Sequence, residues 1–375
     1  MSFSGMFTDR RVLVTGHTGF KGAWLSRWLL DLGARVSGIA LAPSTRPSLF
    51  TLLGLESAID HRLLDIRDHA GMERAVREIR PEVVLHLAAQ PLVRESYLDP
   101  KATFDTNVGG TVNLLDAIRH VGGVRACVVV TSDKCYENRE WPWGYRESDA
   151  MGGHDPYSAS KGACELVAAS YRRAFLTKAG CHLATARAGN VIGGGDWSKD
   201  RIVTDFLAKV PEGRPLVLRN PAATRPWQHV LEPLSGYLVL ASRLLGPAGA
   251  EVADGWNFGP GDSSQATVET LARMLTRGWW GADRPELVEA FLDSAQPHEA
   301  GLLRLDCAKA RHRLGWQGIL DLPTTVRMTV DWYRGQQTGG DAVAMTRTQI
   351  AAYAAAAIAS GQGWACTGNA RNATT

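Results

Sequence analysis

The stretch Arg11-Val-Leu-Val-Thr-Gly16-His-Thr-Gly19-Phe-Lys-Gly22 decides the fold of this chain. A β-rich run ends at Gly16, and residues 20–32 then have apolar side chains at helical spacing, with Gly33 at the stop. Glycines in such a turn let the backbone approach a diphosphate, and the helix N-terminus offers free N–H groups and a partial positive charge. The pattern predicts a dinucleotide-binding turn, and the strand and helix around it disfavour the alternative of an ordinary strand-to-helix turn.

Strand and helix patterns alternate outward from this turn as far as residue 190. Strand-like runs occupy residues 35–41, 61–64, 83–87, 126–130 and 182–187, and helical patterns occupy residues 68–80, 102–121 and 158–178. Strands that alternate with helices indicate right-handed β-α-β units, and nearly continuous apolar strands are typical of a parallel sheet with both faces covered. The predicted fold class is α/β, a doubly wound parallel sheet of the Rossmann type with a second, smaller C-terminal substrate domain.

The length of 375 residues is typical of two domains at about 150 residues each. We expect residues 1–188 with 226–257 to form the dinucleotide-binding Rossmann domain, and residues 189–225 with 258–335 to form the substrate domain. From about residue 336 the composition shifts to Gly, Thr and Ala. Residues 336–375 are therefore interpreted as a C-terminal extension, with a helix at 346–360.

Charge and composition exclude several classes of function. Lys plus Arg number 41 and Asp plus Glu 38, and the net charge of +3 is too small for a nucleic-acid partner or a membrane surface. No apolar run reaches the roughly 18 residues that span a bilayer, and no basic segment followed by an apolar core indicates a targeting signal. The six cysteines are scattered without a C-x-x-C pair, so we expect reduced thiols, no metal site and a cytoplasmic location.

Candidate cofactor contacts lie at the carboxyl ends of the predicted strands, where such sheets bind ligands. Asp65 and Ile66 end the third strand, where an acid can hydrogen-bond an adenine amino group, and the small residues Ala88 and Ala89 end the fourth. No acid follows the second strand to hold the adenosine ribose. Arg46 could contact a 2′-phosphate, so NADP stays open as a cofactor at this point. We favour the interpretation that Arg46 is a solvated cation in a loop.

An acid–base group is predicted around Tyr157 and Lys161, which stand one helical turn apart on one face. Because a cation beside a phenol favours the phenolate, we expect the pKa of Tyr157 to be lowered so that it can act as a base. Ser132 ends the fifth strand and would reach the same crevice, and Asn107 is a further polar candidate. Ser132 weighs against the alternative of a Tyr–Lys pair on a wet helix face.

These motifs together resemble the extended short-chain dehydrogenase/reductase family that acts on nucleotide sugars. The matching runs, over roughly residues 10–335, are Gly16-x-x-Gly19-x-x-Gly22, Asp65-Ile66, His86-Leu-Ala-Ala89, Thr106-Asn107-Val-x-Gly110-Thr111, Tyr157-x-x-x-Lys161, Arg187-Ala-Gly-Asn190-Val-Ile-Gly193, Arg225-Pro-Trp227-Gln-His-Val230 and Leu305-Asp-x-x-Lys-Ala310. The resemblance implies NAD as a retained cofactor, which weighs against NADP at Arg46. The cofactor contacts expected on this basis are Gly16, Thr18, Gly19, Phe20, Gly22, Asp65, Ile66, Leu87, Ala88, Ala89, Thr106, Thr131, Tyr157 and Lys161.

The run Thr131-Ser132-Asp133-Lys134 resembles the 4,6-dehydratases of this family, which place an acid and a base after the serine. Family epimerases usually carry small residues there. The Asp-Lys pair, together with Gln90-Pro-Leu-Val-Arg94 and Gly193-Gly-Gly-Asp-Trp197, resembles the branch that dehydrates CDP-glucose. Another NDP-sugar 4,6-dehydratase, a 4-epimerase, and a non-catalytic NAD-sensing protein on the same fold are the alternatives.

The resemblance implies a catalytic group of Ser132, Asp133, Lys134, Tyr157 and Lys161. Tyr157, helped by Ser132 and Lys161, would take the proton of the sugar 4-OH while the C4 hydride goes to NAD. Lys134 would then remove the C5 proton, Asp133 would protonate the departing 6-OH, and the hydride would return to C6. Lys134 must be neutral and Asp133 protonated for these roles, and a structural ion pair between them is the alternative.

Substrate contacts are expected at Asn190, Arg201, Arg225 and His298, because a diphosphate needs cations and amide donors. The resemblance places Arg225 first among them. It also implies a homodimer or higher homo-oligomer, built through the helices after the fourth and fifth strands, and a role in deoxysugar and surface polysaccharide biosynthesis.

Overall fold

The computed structural model describes residues 2–261, 264–290 and 301–366. The strands are β1 (Arg11–Thr15), β2 (Arg35–Ala40), β3 (Asp60–Leu63), β4 (Val83–His86), β5 (Ala126–Val130), β6 (His182–Ala188), β7 (Val191–Ile192), β8 (Leu216–Leu218), β9 (Thr224–Pro226), β10 (Gln228–His229), β11 (Gly255–Phe258), β12 (Gln265–Thr267) and β13 (Val288–Ala290). The helices are α1 (Phe20–Asp31), α2 (Leu49–Leu52), α3 (Leu55–Ala58), α4 (His69–Ile79), α5 (Val93–Leu98), α6 (Pro100–Phe104), α7 (Gly110–Val121), α8 (Pro156–Tyr171), α9 (Ile202–Leu207), α10 (Leu231–Leu245), α11 (Gly249–Val252), α12 (Val268–Trp280), α13 (Leu322–Gln337) and α14 (Ala342–Ala359).

A central sheet of seven parallel strands organises the molecule, in the order β11-β6-β5-β4-β1-β2-β3. The strand order reverses between β1 and β4, so the connections leave in opposite directions and open a crevice beyond the carboxyl ends of these strands. The predicted doubly wound parallel sheet of the Rossmann type is confirmed.

Both faces of the sheet are covered, as the apolar strands predict. Successive residues of β1 alternate between the two sides: Val12 and Val14 belong to the core that includes α1, α10 and α14, whereas Leu13 belongs to the core under α4, α7 and α8. The helix from His69 begins as predicted, because the Asp68 side chain accepts a hydrogen bond from the Gly71 amide at 2.9 Å.

Two predicted helices differ from the observed ones. The pattern at 102–121 is broken by a π turn, Asp105–Gly109, between α6 and α7. Helix α8 begins two residues earlier than expected, because the Asp155 side chain caps it with Pro156 in its first turn, and it ends at Tyr171 before a second π turn. A π turn inserts one residue without ending the run of apolar positions, so periodicity alone does not reveal it.

The part of the chain after β6 adds short strands and helices above the carboxyl edge of the sheet. Strands β7 and β10, β8 and β13, and β9 and β12 form two-stranded pairs. Buried side chains here, including Phe206, Leu216 and Leu271, belong to the same continuous core as β1 and α1. The division into the two predicted domains stays a prediction.

The predicted terminal helix is present as α14 and starts four residues earlier than expected. It is packed into the molecule, since the Tyr353 phenol donates to Glu232 Oε2 at 2.8 Å and the Tyr353 ring contacts Trp28 edge-on. Within the ranges that the structure describes, none of the helices is long and apolar enough to cross a membrane.

Candidate active site

A cleft with a volume of about 1370 Å³ lies at the carboxyl ends of the central strands. Of the predicted site residues that the structure describes, it gathers all but Asn107: Gly16, Thr18, Gly19, Phe20, Gly22, Asp65, Ile66, Leu87, Ala88, Ala89, Thr106, Thr131, Ser132, Asp133, Lys134, Tyr157, Lys161, Asn190, Arg201 and Arg225. His298 lies outside the described residues. The roles of these side chains are argued below from their contacts.

The turn between β1 and α1 is built so closely that two of its three glycines, Gly16 and Gly22, have no room for a side chain. A Cβ on Gly16, whose φ is +75°, would lie 2.7 Å from the Ala88 amide nitrogen, and one on Gly22 would lie 2.1 Å from the Gly16 carbonyl oxygen. Gly19 is the N-cap of α1 and provides no side-chain cap, so the first amides of the helix face the cleft uncapped. This cradle fits the diphosphate of a dinucleotide.

The floor for an adenosine group is formed by β3 and β4. Ile66 is buried and packs against Gly110. The contact is so close that a Cβ on Gly110 would lie 2.4 Å from Ile66 Cδ1. The Asp65 carboxylate accepts from the Arg67 amide and guanidinium at 2.9 and 2.6 Å, and the side-chain hydrogen bonds from Arg67 lower the pKa of Asp65. The adenine contact expected of Asp65 therefore competes with Arg67.

The polar side chains that line the cleft after β2 are Ser44, Thr45 and Arg46, of which Ser44 and Arg46 are exposed. Thr18 in the glycine turn donates to the Leu41 carbonyl at 2.9 Å and ties the turn to the end of β2. Among the described residues, this part of the cleft offers two hydroxyl groups and a guanidinium group but no acid.

The strand end after β5 carries three candidate catalytic side chains in a 3₁₀ turn, Asp133–Cys135. Ser132 caps this turn, with its hydroxyl accepting from the Lys134 amide at 3.2 Å and donating to Asp133 Oδ1 at 2.9 Å. Ser132 lies close enough to the Tyr157 phenol to act on its pKa, which it lowers. Both side chains line the same cleft, as a shared contact to one substrate oxygen requires.

The electrostatics of Tyr157 differ from the prediction. Burial raises the pKa of Tyr157 to about 12, while the Ser132 hydrogen bond and the charge of Arg201 act to lower it. Lys161 points its Nζ at the Val130 carbonyl, 3.4 Å away, and burial lowers the pKa of Lys161. The expected lowering of the Tyr157 pKa is wrong for this structure, because burial outweighs the favourable charges.

Asp133 is 2% exposed, and its Oδ2 has no hydrogen-bond partner among the described residues. This oxygen lies beside Gly189, where a Cβ would come within 2.9 Å of it. Lys134 is half-buried and lines the cleft, and no ion pair joins it to Asp133 in the described ranges. The alternative of a structural Asp133–Lys134 ion pair is therefore wrong.

Cations and an amide line the opposite wall of the cleft. Arg225 is buried and donates to the carbonyls of Thr224 and Gly301 at 3.1 and 3.2 Å, and Arg201 lies 3.4 Å from the Asp196 carboxylate. Asn190 is half-buried at the same wall. These groups suit a diphosphate, whereas no group of three or more metal-ligating side chains occurs in the described ranges.

Lys21 is a cleft residue that the sequence reasoning missed. It stands between Gly19 and Gly22, and burial lowers the pKa of Lys21 to about 8, with Arg201 adding to this and Asp133 opposing it. The available signal was a lysine inside a turn otherwise made of glycines and small or apolar residues.

Asn107 was wrongly expected at the crevice. It is buried in the π turn, where its Nδ2 donates to Ser160 Oγ at 2.8 Å and its Oδ1 accepts from the Gln90 amide at 2.8 Å. Asn107 therefore ties the loop after β4 to α8.

Comparisons with known proteins agree with this geometry. A family model described as GDP-mannose 4,6 dehydratase matches residues 13–329. The chain is 48% identical over 353 residues to a CDP-glucose 4,6-dehydratase of Salmonella typhimurium, covering 92% of this chain and 97% of that protein.

Solved structures with the same fold include a dTDP-glucose 4,6-dehydratase of Streptomyces venezuelae with NAD and TYD bound, which is 25% identical with a TM-score of 0.72 and covers 88% of this chain and 99% of that one. A UDP-glucose 4-epimerase of Thermus thermophilus in complex with NAD is 27% identical with a TM-score of 0.73 and covers 86% of this chain and 99% of that one. The chain belongs to the GDP-mannose 4,6-dehydratase family, a nucleotide-sugar branch of the extended short-chain dehydrogenases/reductases.

Proposed function

We propose that this protein is a CDP-glucose 4,6-dehydratase, a hydro-lyase that converts CDP-glucose to CDP-4-keto-6-deoxyglucose and water. The observation that carries the proposal is that one cleft holds a Ser132–Tyr157–Lys161 group and, beside it, an acid and an amine that do not pair with each other. The relative that is 48% identical along nearly the whole chain is a CDP-glucose 4,6-dehydratase. The product class is the starting point for deoxysugars of surface polysaccharides.

NAD is the cofactor that the cleft fits. The uncapped start of α1 and the glycine cradle of Gly16, Gly19 and Gly22 would hold the diphosphate, and Ile66 and Ala88 would contact the adenosine. Two relatives of this fold are described with NAD bound. When bound, NAD supplies a reversible hydride acceptor, which takes the C4 hydride and gives it back at C6.

In the first half of the reaction Tyr157 removes the proton of the sugar 4-OH. The Ser132 hydrogen bond and the Arg201 charge both act to lower the pKa of Tyr157, so they favour the phenolate that carries this proton away. The sugar is then a 4-ketone, which acidifies the hydrogen on C5.

In the second half Lys134 removes the C5 proton and Asp133 protonates the leaving 6-OH. The electron pair of the C5–H bond forms the C5=C6 double bond as the C6–O bond breaks, and water departs with the Asp133 proton. Asp133 suits the role of acid because its Oδ2 is buried without a partner in the described residues, so it meets no competing donor there. Return of a proton to C5 and of the hydride to C6 leaves no net change in oxidation state.

The other wall of the cleft would bind the nucleotide. We propose that Arg225, Arg201 and Asn190 contact the diphosphate, on the ground that they face the cleft and combine two guanidinium groups with an amide. This assigns nucleotide binding to the proposed substrate domain, residues 189–225 with 258–335, and cofactor binding to residues 1–188 with 226–257.

The test is a comparison of CDP-glucose, dTDP-glucose and GDP-mannose as substrates of the purified protein with NAD. We expect a 4-keto product, detected by its absorbance in strong base, with CDP-glucose as the preferred substrate. A 4-epimer without keto product would instead support the epimerase alternative, and no conversion of any sugar would support the non-catalytic one.

We also propose a homodimer or higher homo-oligomer and a cytoplasmic location, with no nucleic-acid partner. Leu98 and Leu166 are 80% and 65% exposed on neighbouring helices α5 and α8, with Phe104 exposed between them in sequence. Exposed apolar side chains on adjoining helices are typical of a contact with another copy. Light scattering is expected to give a dimeric or larger mass for the wild type and a smaller one for Leu166→Glu.

A further inference from the structure

The three side chains Ser132, Asp133 and Lys134 lie on a short segment, residues 131–136, that contains one 3₁₀ turn. A single turn of this kind has few internal hydrogen bonds, so its side chains are oriented by whatever holds its two ends. The structure supplies one buried ion pair, Glu165 with Arg187, that reaches both ends.

Glu165 holds the first end. It lies on α8 one turn after Lys161, and its Oε1 accepts the hydrogen bond of the Thr131 hydroxyl. Its Oε2 accepts from the Thr185 hydroxyl at 2.6 Å and from Arg187 at 2.8 Å. Thr131 directly precedes Ser132, so the carboxylate fixes the point where the catalytic segment leaves β5.

Arg187 holds the second end. Its Nη1 donates to the Tyr136 phenol at 2.7 Å, and the guanidinium lies 5.1 Å from the centre of the Tyr136 ring. The Tyr136 phenol in turn donates to Asn257 Oδ1 at 2.7 Å on β11. Tyr136 follows the 3₁₀ turn directly, so the segment is fixed on both sides of Asp133 and Lys134.

The ion pair is poorly explained by stability alone. Both side chains are 5% exposed, and the cost of removing two charges from water makes a buried ion pair weak evidence for a net gain in stability. Of its four further hydrogen bonds, two reach Thr131 and Tyr136 on the catalytic segment, one reaches Thr185 on β6 and one reaches the Glu147 carbonyl, while Arg187 Nε has no hydrogen-bond partner among the described residues. The place of the ion pair is better explained by a role in holding the two ends of the segment 131–136.

We propose that Glu165 and Arg187 are positioning residues that clamp residues 131–136 at both ends and set where Asp133 and Lys134 face the substrate. They act through Thr131 and Tyr136 and do not touch the substrate. The inference rests on the proposed dehydratase function, since Asp133 and Lys134 matter only to the elimination step.

The experiment compares Tyr136→Phe with Thr185→Val. Tyr136→Phe removes the hydroxyl that links Arg187 to the far end of the segment. Thr185→Val removes an equivalent hydrogen bond to Glu165 from β6, without touching the segment. Each variant is assayed with CDP-glucose for dehydration and with CDP-6-deoxyglucose for C4 oxidation alone, read as NADH absorbance at saturating NAD.

A displaced acid or base slows elimination but not C4 oxidation. We expect Tyr136→Phe to lower kcat for dehydration by about ten-fold or more, with C4 oxidation changed by less than about three-fold, because a small misplacement of a catalytic group costs a large factor in rate. Thr185→Val is expected to keep the wild-type ratio of the dehydration rate to the oxidation rate, even if its melting temperature falls as much as that of Tyr136→Phe.

Two results would overturn the proposal: the first contradicts the clamp alone, and the second contradicts the proposed function as well. If Tyr136→Phe matches Thr185→Val in the ratio of dehydration to oxidation, the clamp is wrong while the dehydratase function stands. If wild-type protein forms no 4-keto product from CDP-glucose, the proposed function fails and the clamp fails with it.

Discussion

Asp133 and Lys134 are neighbours in the chain but meet different surroundings. In a 3₁₀ turn successive side chains are rotated by about 120°, so both side chains line the cleft in different surroundings: Asp133 is buried beside Gly189, whereas Lys134 is half-buried. This separation matters because a close ion pair would keep the amine charged and the carboxyl group ionised. Those are the wrong states for a base at C5 and an acid at the 6-OH.

Lys134→Met is expected to stop elimination and spare C4 oxidation. Loss of a general base typically costs about 10²- to 10⁴-fold in rate, and Lys134 has no place in the first half-reaction. The measurement is 4-keto product from CDP-glucose deuterated at C4, beside NADH formed from CDP-6-deoxyglucose. Lys199→Met is the matched control, since Lys199 also lines the cleft but pairs with Glu95 at 3.1 Å. Dehydration by Lys134→Met at the wild-type rate would show that another group is the base.

Tyr157→Phe is expected to stop both half-reactions, because no group then takes the 4-OH proton. In the wild type burial raises the pKa of Tyr157 to about 12, so the phenol is protonated near neutral pH and the phenolate grows as the pH rises. The single-turnover rate of C4 oxidation is therefore expected to increase with pH across the neutral and mildly alkaline range. A rate that falls over this range would contradict the assignment of Tyr157 as the base.

At the scale of elements, the β1–α1 turn and the 3₁₀ turn after β5 line the same cleft at the carboxyl ends of the sheet. Helix α8 brings Tyr157 and Lys161 between them, and its early start at Pro156 places Tyr157 in the first turn of the helix. Each catalytic group is thus held by a strand end or a helix start rather than by a long loop. Rigid elements hold side chains to the small tolerances that catalysis needs.

Gly22→Ala is expected to destabilise the protein and weaken NAD binding. Its Cβ would meet backbone atoms of Gly16 and His17, at 2.1 and 2.7 Å, so the turn itself must move. Overpacking of this kind typically costs about 1–3 kcal/mol. Gly109→Ala is the control, because a Cβ there meets nothing within 4 Å. Denaturant unfolding and calorimetric titration with NAD measure the two effects, and wild-type NAD affinity in Gly22→Ala would refute the role of the glycine cradle.

For the molecule as a whole, the local sequence pattern was enough to predict the central sheet, because most of its strands are apolar runs followed by a turn and a helix. The local pattern was not enough to predict β7 and β10, because a strand of two residues is too short to show an alternation of apolar and polar side chains. Within the site, Ser132 and Tyr157 could be located from a strand end and a helix start. The pKa of Tyr157 could not, since it depends on burial that the whole fold creates.

The C-terminal extension shows the same limit. Helix α14 was predicted, but an alanine-rich sequence does not indicate which face is buried. The structure places Tyr353 of this helix against Glu232 at the start of α10, and Glu232 Oε1 also accepts from the amides of Ile319 and Leu320 at 2.9 and 2.6 Å. One buried carboxyl group thus joins α10, the segment before α13 and α14.

Stability is therefore expected to depend on pH through Glu232. Burial raises the pKa of Glu232 to about 7 from the model-peptide value of 4.5, while the backbone hydrogen bonds oppose the shift. Below pH 4.5 both states are protonated; as the pH rises from there to about 7, only the unfolded state releases its proton. The free energy of unfolding should fall by about 3 kcal/mol across this window.

Glu232→Gln separates this carboxyl group from every other titrating side chain. The amide oxygen can still accept from Ile319 and Leu320, but it does not ionise, so the decline between pH 4.5 and about 7 should largely disappear. Urea unfolding across this pH range measures the slope, with Glu251→Gln on the exposed surface of α11 as a control that leaves it unchanged. If Glu232→Gln and wild type lose stability in parallel, Glu232 is ionised in the folded protein, and the contact between α10 and α14 is a charged one rather than a neutral hydrogen bond.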